Sequence, residues 1–167
     1  HKNLNKIKVY KFKNNGYKFP NINGSHVSEA TYYRLFIDDY LPNSIEQIVY
    51  MDADIICVND PIYEIETEIK KLKTSDKVIS CKTELYFNEN SEVFNRLQMS
   101  SNEYFNAGLM IIDFKKWKDQ DIKSDLIDLL QKEFKNLKYW DQDLLNCYFD
   151  GKYLEIDEKF NKVVDLA

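Results

Sequence analysis

Long apolar stretches are absent from this sequence of 167 residues. No apolar run approaches the roughly 20 residues that a helix needs to cross a bilayer. The basic start, residues 1–6, is not followed by the apolar region of a signal peptide. The net charge of −5 argues against general nucleic-acid binding through phosphate neutralisation. With 44% hydrophobic and 31% charged residues, the chain is expected to form a single globular domain, residues 1–167.

Several patterns that carry chemistry are also missing. The three cysteines, Cys57, Cys81 and Cys147, form no Cys-x-x-Cys pair and lie among apolar residues. Reduced core thiols are therefore expected, and with them a cytoplasmic location. There is no P-loop and no Gly-x-Gly-x-x-Gly motif. The only histidines, His1 and His26, complete no Ser-His-Asp set.

Apolar spacing predicts strands that alternate with helices, a pattern typical of an α/β fold with a mostly parallel sheet. Strands are predicted at residues 7–12, 48–51, 55–58, 78–81, 109–112 and 153–156. Helices are predicted at 29–40, 60–73 and 121–134, with a shorter one from 141 to a stop at 151. The predicted apolar face of the first helix contains Ala30, Tyr33, Ile37 and Tyr40.

Two aspartates, Asp52 and Asp54, directly follow the predicted strand at 48–51. Ligands bind at this edge of open α/β sheets, and two close acids repel each other unless a cation holds them. Oxygen-only ligands suit Mg²⁺ or Mn²⁺. A phosphatase of the haloacid dehalogenase type is disfavoured, because Ile56 stands where that family has Thr or Val. A metal held by two carboxylates leaves positions for a diphosphate, which is then a good leaving group.

Four blocks of sequence together resemble glycosyltransferase family 8. In order, they are Ser-Glu-Ala-Thr-Tyr-Tyr-Arg-Leu at 28–35, Tyr-Met-Asp-Ala-Asp at 50–54, Tyr-Phe-Asn-Ala-Gly-Leu-Met-Ile-Ile at 104–112 and Trp-Asp-Gln-Asp-Leu-Leu-Asn at 140–146. The resemblance covers residues 28–161. It implies a GT-A fold, α/β with a mostly parallel mixed sheet flanked by helices. It also implies a retaining galactosyl- or glucosyltransferase of lipopolysaccharide or cell-surface glycan synthesis.

The implied donor is a UDP-sugar, UDP-galactose or UDP-glucose, and the implied cofactor is Mn²⁺ or Mg²⁺. The acceptor would be a saccharide or a lipid-linked saccharide, at the inner face of the bacterial inner membrane. By the matched positions, Asp52 and Asp54 would be the metal ligands, and the Ala53 backbone would lie near the ribose. Arg34 would steady the donor sugar or its phosphate side.

The resemblance also implies a sugar pocket lined by Asn106, Ala107 and Gly108. Asp141 would bond sugar hydroxyls, and the Gln142 carbonyl would lie under the anomeric carbon. Because an amide is a poor nucleophile, front-face attack with Gln142 stabilising the developing positive charge is favoured over a covalent intermediate. Glu84 aligns loosely with an acid, commonly Asp in the family, that meets donor or acceptor.

From the residues alone, other interpretations stay open. Arg34 could be a surface residue whose stem covers apolar neighbours, Asn106 could cap a turn and Asp141 could be a helix N-cap. A non-catalytic GT-A-like binding or assembly module is the alternative to an enzyme.

The family's usual terminal segments have no match in this sequence. Nothing before Ile7 resembles the nucleotide-gripping start, and the sequence ends at Ala167, before the family's His-containing segment. That segment would supply a further metal ligand and any peripheral membrane contact. The expectation is therefore that these residues form the central part of a catalytic domain, with weak UDP affinity and no turnover alone.

Overall fold

Four strands form one sheet in the computed structural model, which describes residues 7–14, 16–19, 29–87, 91–133 and 135–162. They are β1 (Gln47–Met51), β2 (Ile79–Thr83), β3 (Phe105–Asp113) and β4 (Leu154–Glu155), in the order β1-β3-β2-β4. Strand β3 is antiparallel to both β1 and β2, whereas β2 and β4 are parallel. The fold is α/β, with a mixed sheet flanked by helices.

The prediction of a mostly parallel sheet is wrong for the described strands, because two of their three pairings are antiparallel. Strands β1 and β2 do point the same way, as strands joined through a helical crossover should. Strand β3 lies between them in the opposite direction. A buried central strand has the same apolar composition in either direction, so the pattern of residues carried no information on this point.

The four predicted helices lie close to their predicted positions, and the structure adds two short helices between the second and the third of them. A 3-10 helix spans Glu29–Asp39, and α1 spans Ile62–Thr74. Helices α2 (Glu92–Arg96), α3 (Phe114–Asp119), α4 (Ile122–Glu133) and α5 (Trp140–Phe149) follow. Strand β3 begins four residues before its predicted start, so Asn106, Ala107 and Gly108 belong to the sheet.

The predicted apolar face of the first helix is confirmed only in part. Tyr32, Leu35 and Phe36 are its buried residues, and the backbone is kinked at Phe36, with φ −106° and ψ 17°. Ile37 and Tyr40 of the predicted face are half-buried against the same core, whereas Ala30 is exposed. The buried stripe therefore keeps a helical i, i+3, i+4 spacing but is shifted along the chain from the predicted one. Arg34 lies beside this buried stripe and points toward the end of β1.

Two predicted strands are not formed. Residues 7–12 contain no strand, and Val9 is 91% exposed. Residues 55–58 form a loop in which Ile56 and Val58 are 84% and 87% exposed. Neither segment has a partner strand within the described ranges. The backbone N–H and C=O groups of a strand need such a partner for their hydrogen bonds.

The cysteine prediction is confirmed in part. All three thiols are free, and Cys81 is buried in β2, but Cys57 is exposed on the loop at 55–58. Among the described helices, none has both the length and the apolar character required to cross a bilayer.

Candidate active site

Asp52 and Arg34 meet where β1 ends. The backbone N–H of Asp52 donates to the Gly108 carbonyl at 2.8 Å, which holds the residue against β3. Asp52 Oδ1 accepts hydrogen bonds from Arg34 Nη2 at 2.9 Å and from the Tyr50 hydroxyl at 2.6 Å. Oδ2 of Asp52 has no hydrogen-bond partner among the described residues. This oxygen is the one that remains available to a ligand.

The second acid of the pair is in a different setting. Asp54 is exposed and makes no side-chain hydrogen bond or ion pair within the described part of the chain. Ala53 is exposed between the two acids, in a turn closed by the Ile55 N–H donating to the Asp52 carbonyl at 3.2 Å. Two carboxylates with free oxygens fit a hard divalent cation. Within the described ranges, no group of three or more His, Cys, Asp or Glu side chains is arranged to hold a metal.

Arg34 joins three elements at one point. Its side chain is 10% exposed, and Nη1 donates to the Ala107 carbonyl of β3 at 2.6 Å. Nε lies 2.7 Å from Asp141 Oδ2 in an ion pair that falls outside aligned hydrogen-bond geometry. The guanidinium carbon lies 4.0 Å from the centroid of the Tyr50 ring. The interpretation of Arg34 as a surface residue is therefore wrong.

Asp141 is buried at the first turn of α5, with its side chain 6% exposed. The N-cap of this helix is Tyr139, so the interpretation of Asp141 as an N-cap is wrong. Its Oδ1 accepts a hydrogen bond from the Thr31 hydroxyl. Burial raises the pKa of Asp141, although Arg34 and Thr31 both act to lower it. Asp141 thus anchors Arg34 through Nε, whereas Asp52 binds it through Nη2.

Gln142 is held against β3 by both ends of its amide. Its Oε1 accepts from the Ala107 N–H at 3.0 Å, and its Nε2 lies 3.5 Å from the Tyr104 hydroxyl. One Oε1 lone pair and one N–H therefore remain for a ligand. Ala107 receives Gln142 on its N–H and Arg34 on its carbonyl, so its backbone ties the two side chains together.

A second group of polar side chains surrounds Gly108. Asn106 Oδ1 accepts from the Gly108 N–H and from Asn161 Nδ2, both at 2.8 Å, and Asn106 Nδ2 donates to Glu84 Oε2 at 3.2 Å. A Cβ at position 108 would lie 3.0 Å from Asn106 Oδ1 and 3.2 Å from Asp52 Oδ2. Glycine therefore leaves a gap bounded by an amide and a carboxylate. Asn106 lies within β3, and not in the turn that the alternative interpretation required.

These contacts border a cleft of about 190 Å³. Of the residues predicted for the site, Arg34, Asp52, Ala107, Gly108, Asp141 and Gln142 line this cleft, together with Thr31, Tyr139 and Trp140. Four predicted residues, Ala53, Asp54, Glu84 and Asn106, lie outside its lining. Glu84 and Asn106 reach the cleft indirectly, through Gly108.

The structure adds a buried support that the sequence analysis did not identify. Asp143 is fully buried and accepts from Arg96 Nη1 at 2.6 Å, the Tyr104 hydroxyl at 2.7 Å and the backbone N–H groups of residues 138 and 139. Trp140, which follows residue 139 in the chain, has a backbone φ of +47°. This left-handed backbone is a genuine outlier for a bulky side chain, and strain of this kind concentrates at functional sites.

Asn146 provides the second part of this support. It is 1% exposed and exchanges two hydrogen bonds with the Phe105 backbone, at 2.7 and 2.8 Å, while also donating to the Gln142 carbonyl at 3.0 Å. The signal available in the sequence was an acid and an amide on the apolar face of a short helix. Buried polar groups of this kind need partners.

The chain is similar to glycosyltransferases of known sequence and structure. A lipopolysaccharide 1,2-glucosyltransferase of Escherichia coli is 33% identical over 139 residues, and a lipopolysaccharide 1,3-galactosyltransferase of Salmonella typhimurium is 28% identical over 134 residues. Each match covers 79% of this chain, and 38% and 39% of the relatives. The crystal structure of galactosyltransferase LgtC with donor and acceptor sugar analogues is similar over 85% of this chain and 49% of its own, with 26% identity and a TM-score of 0.71.

The chain thus spans less than half the length of these relatives. The profile of the family described as glycosyl transferase family 8 matches residues 2–167. The GT-A-like fold agrees with that match, and the chain belongs to glycosyl transferase family 8.

Proposed function

We propose that this chain forms the donor-side part of a retaining hexosyltransferase, which moves galactose or glucose from a UDP-sugar to a saccharide acceptor. The acceptor would belong to lipopolysaccharide or another cell-surface glycan, at the cytoplasmic face of the membrane. The observation that carries the proposal is the convergence on Arg34 of Asp52, Asp141 and the Ala107 carbonyl. A buried guanidinium between two acids beside an open cleft is a costly arrangement to keep for packing alone.

Asp52 and Asp54 would hold Mn²⁺ or Mg²⁺, through oxygens that have no protein partner among the described residues. The cation would neutralise the charge that develops on the departing diphosphate. Asp52 keeps Oδ1 for Arg34 and Tyr50, so one residue would serve both the cation and the guanidinium. The Ala53 backbone would lie beside the ribose.

The roles that we propose for Asp141 and Gln142 toward the sugar follow from which of their atoms already contact other groups of the protein. Both Asp141 oxygens contact Thr31 or Arg34, so Asp141 would orient the guanidinium and meet a sugar hydroxyl with a remaining lone pair. Gln142 Oε1 is fixed by the Ala107 N–H and would present its second lone pair toward positive charge at the anomeric carbon. A neutral amide held in this way suits front-face transfer without a covalent intermediate.

The matched test uses two exposed aspartates in the complete natural polypeptide. We expect Asp54→Asn to weaken Mn²⁺-dependent binding of UDP, measured by isothermal titration, and to reduce UDP release from UDP-galactose or UDP-glucose by at least about a hundredfold. Asp76→Asn, at an exposed residue outside the cleft, serves as the control. Equal activity in the wild type and Asp54→Asn would rule out the metal role. Absence of nucleotide binding by the wild type would favour a non-catalytic module.

A further inference from the structure

Asn161 lies in the closing loop after β4 and contacts the candidate site from a distance of 55 residues in sequence. Its Nδ2 donates to Asn106 Oδ1 at 2.8 Å, and its own backbone has φ +49°. Asparagine is among the few residues enriched in this left-handed region. Both the backbone conformation and the side-chain contact at position 161 therefore suit an asparagine.

The orientation of the Asn106 amide is fixed by groups whose hydrogen-bonding roles cannot change. The Gly108 N–H can only donate, so the atom that it meets must be the Asn106 oxygen. The Glu84 carboxylate accepts when ionised, so the atom that it meets must be the Asn106 nitrogen. Asn161 must then present its own NH₂ group to the remaining lone pair of that oxygen.

With these contacts made, Asn106 has little left to offer a ligand. Both lone pairs of Oδ1 are filled, by Gly108 and Asn161, and one of its two N–H groups is used by Glu84. One N–H donor remains. This remaining N–H can pair only with an oxygen that accepts a hydrogen bond. Asn106 therefore distinguishes such an oxygen from a hydroxyl group that donates its hydrogen.

We infer that Asn161 is a positioning residue for the donor hexose, which locks the Asn106 amide so that Asn106 offers one N–H donor and no acceptor. This inference rests on the proposed function and deepens it. Asn106 would bind the oxygen of a sugar hydroxyl, and Asn161 would set the direction of that bond without touching the sugar.

Asn161→Asp is the sharpest variant. It keeps the size of the side chain and tolerates the left-handed backbone, but it replaces the donor facing Asn106 Oδ1 with an acceptor. We expect isothermal titration with Mn²⁺ to show roughly tenfold weaker binding of UDP-galactose or UDP-glucose, with UDP binding unchanged within about twofold. Asn161→Ala should lose less, because it removes the donor without adding a repelling oxygen. A purely steric role predicts the reverse order.

Asn59→Ala is the matched control, since Asn59 is exposed and, like Asn161, borders the depression beside residues 55–61. We expect it to bind all three nucleotides as the wild type does. UDP-hexose affinity that is unchanged in both Asn161 variants would overturn the inference, as would an equal loss for UDP and UDP-hexose.

A readout without nucleotide separates this inference from the proposed function. The side-chain amide signals of Asn106, assigned in ¹⁵N spectra through an Asn106→Asp variant, should shift and exchange faster in Asn161→Ala. Unchanged Asn106 signals would refute the contact even if the wild type binds UDP. Shifted signals in a protein that binds no nucleotide would reject the proposed function and, with it, the role toward the sugar.

Discussion

Replacing Arg34 with methionine removes a buried charge while keeping most of the apolar stem. Asp141, whose side chain is 6% exposed, would then lose its charged partner and keep the hydrogen bond from the Thr31 hydroxyl. Breaking one side of a buried pair costs about 3–5 kcal/mol, because the remaining charge is left uncompensated. The contact with Asp52 adds little, since that carboxylate is 37% exposed and screened by water. We expect Arg34→Met to lower the free energy of unfolding by about 3–5 kcal/mol.

A urea titration followed by circular dichroism measures this loss, and a double-mutant cycle with Asp141→Asn assigns it. If the ion pair causes the loss, the double variant should be more stable than the sum of the two single changes predicts, by about 1–3 kcal/mol. Arg34→Lys, which keeps the charge but not the planar fork, should fall between wild type and Arg34→Met. An Arg34→Met protein within about 0.5 kcal/mol of wild type, or strictly additive single changes, would refute the reasoning.

Three further outcomes follow from the same contacts. Gly108→Ala would bring a methyl group to 3.0 Å from Asn106 Oδ1 and 3.2 Å from Asp52 Oδ2, so both side chains must shift and we expect weaker Mn²⁺-dependent UDP binding by titration. Thr31→Val removes a bond that lowers the pKa of Asp141, so that pKa should rise further and the acid limb of the pH–activity profile should move to higher pH. Burial opposes ionisation of Asp150, but backbone amides of the turn at 100–101 lower its pKa overall. Asp150→Asn should therefore destabilise the protein at pH 7, in a urea titration, and progressively less as pH falls below about 4, since the wild-type carboxylate loses its advantage on protonation.

Local patterns predicted most of the elements, because apolar periodicity and end signals act within one segment. Helix α4 lies at Ile122–Glu133, close to the predicted 121–134, and buries Ile122, Leu126 and Leu130 on one face at helical spacing. Residues 55–58 show where such reasoning ends. Their β-branched, apolar composition predicts a strand, but a strand forms only against a partner, which the described ranges do not provide.

The candidate site also has a part that the sequence predicted and a part that it did not. The acid pair could be found from its position after an apolar strand, and the family resemblance added Arg34, Asn106 and Gln142. The roles of Arg34 and Asn161 depend on contacts between residues 55 to 107 positions apart in the chain, which no local pattern encodes. The direction of strand β3 could not be predicted either, since its residues are compatible with either direction between β1 and β2.

The left-handed backbone of Trp140 restricts which residues could replace it in a redesigned cleft. Asparagine, aspartate or glycine would adopt φ +47° at low cost, whereas valine, isoleucine or threonine would not. The wall of the cleft can therefore be opened with small polar residues, but it cannot readily be reshaped with β-branched ones. A library at position 140 screened for altered sugar preference should recover mainly the first group, and Asp143, which holds the adjoining turn, should be left unchanged in its design.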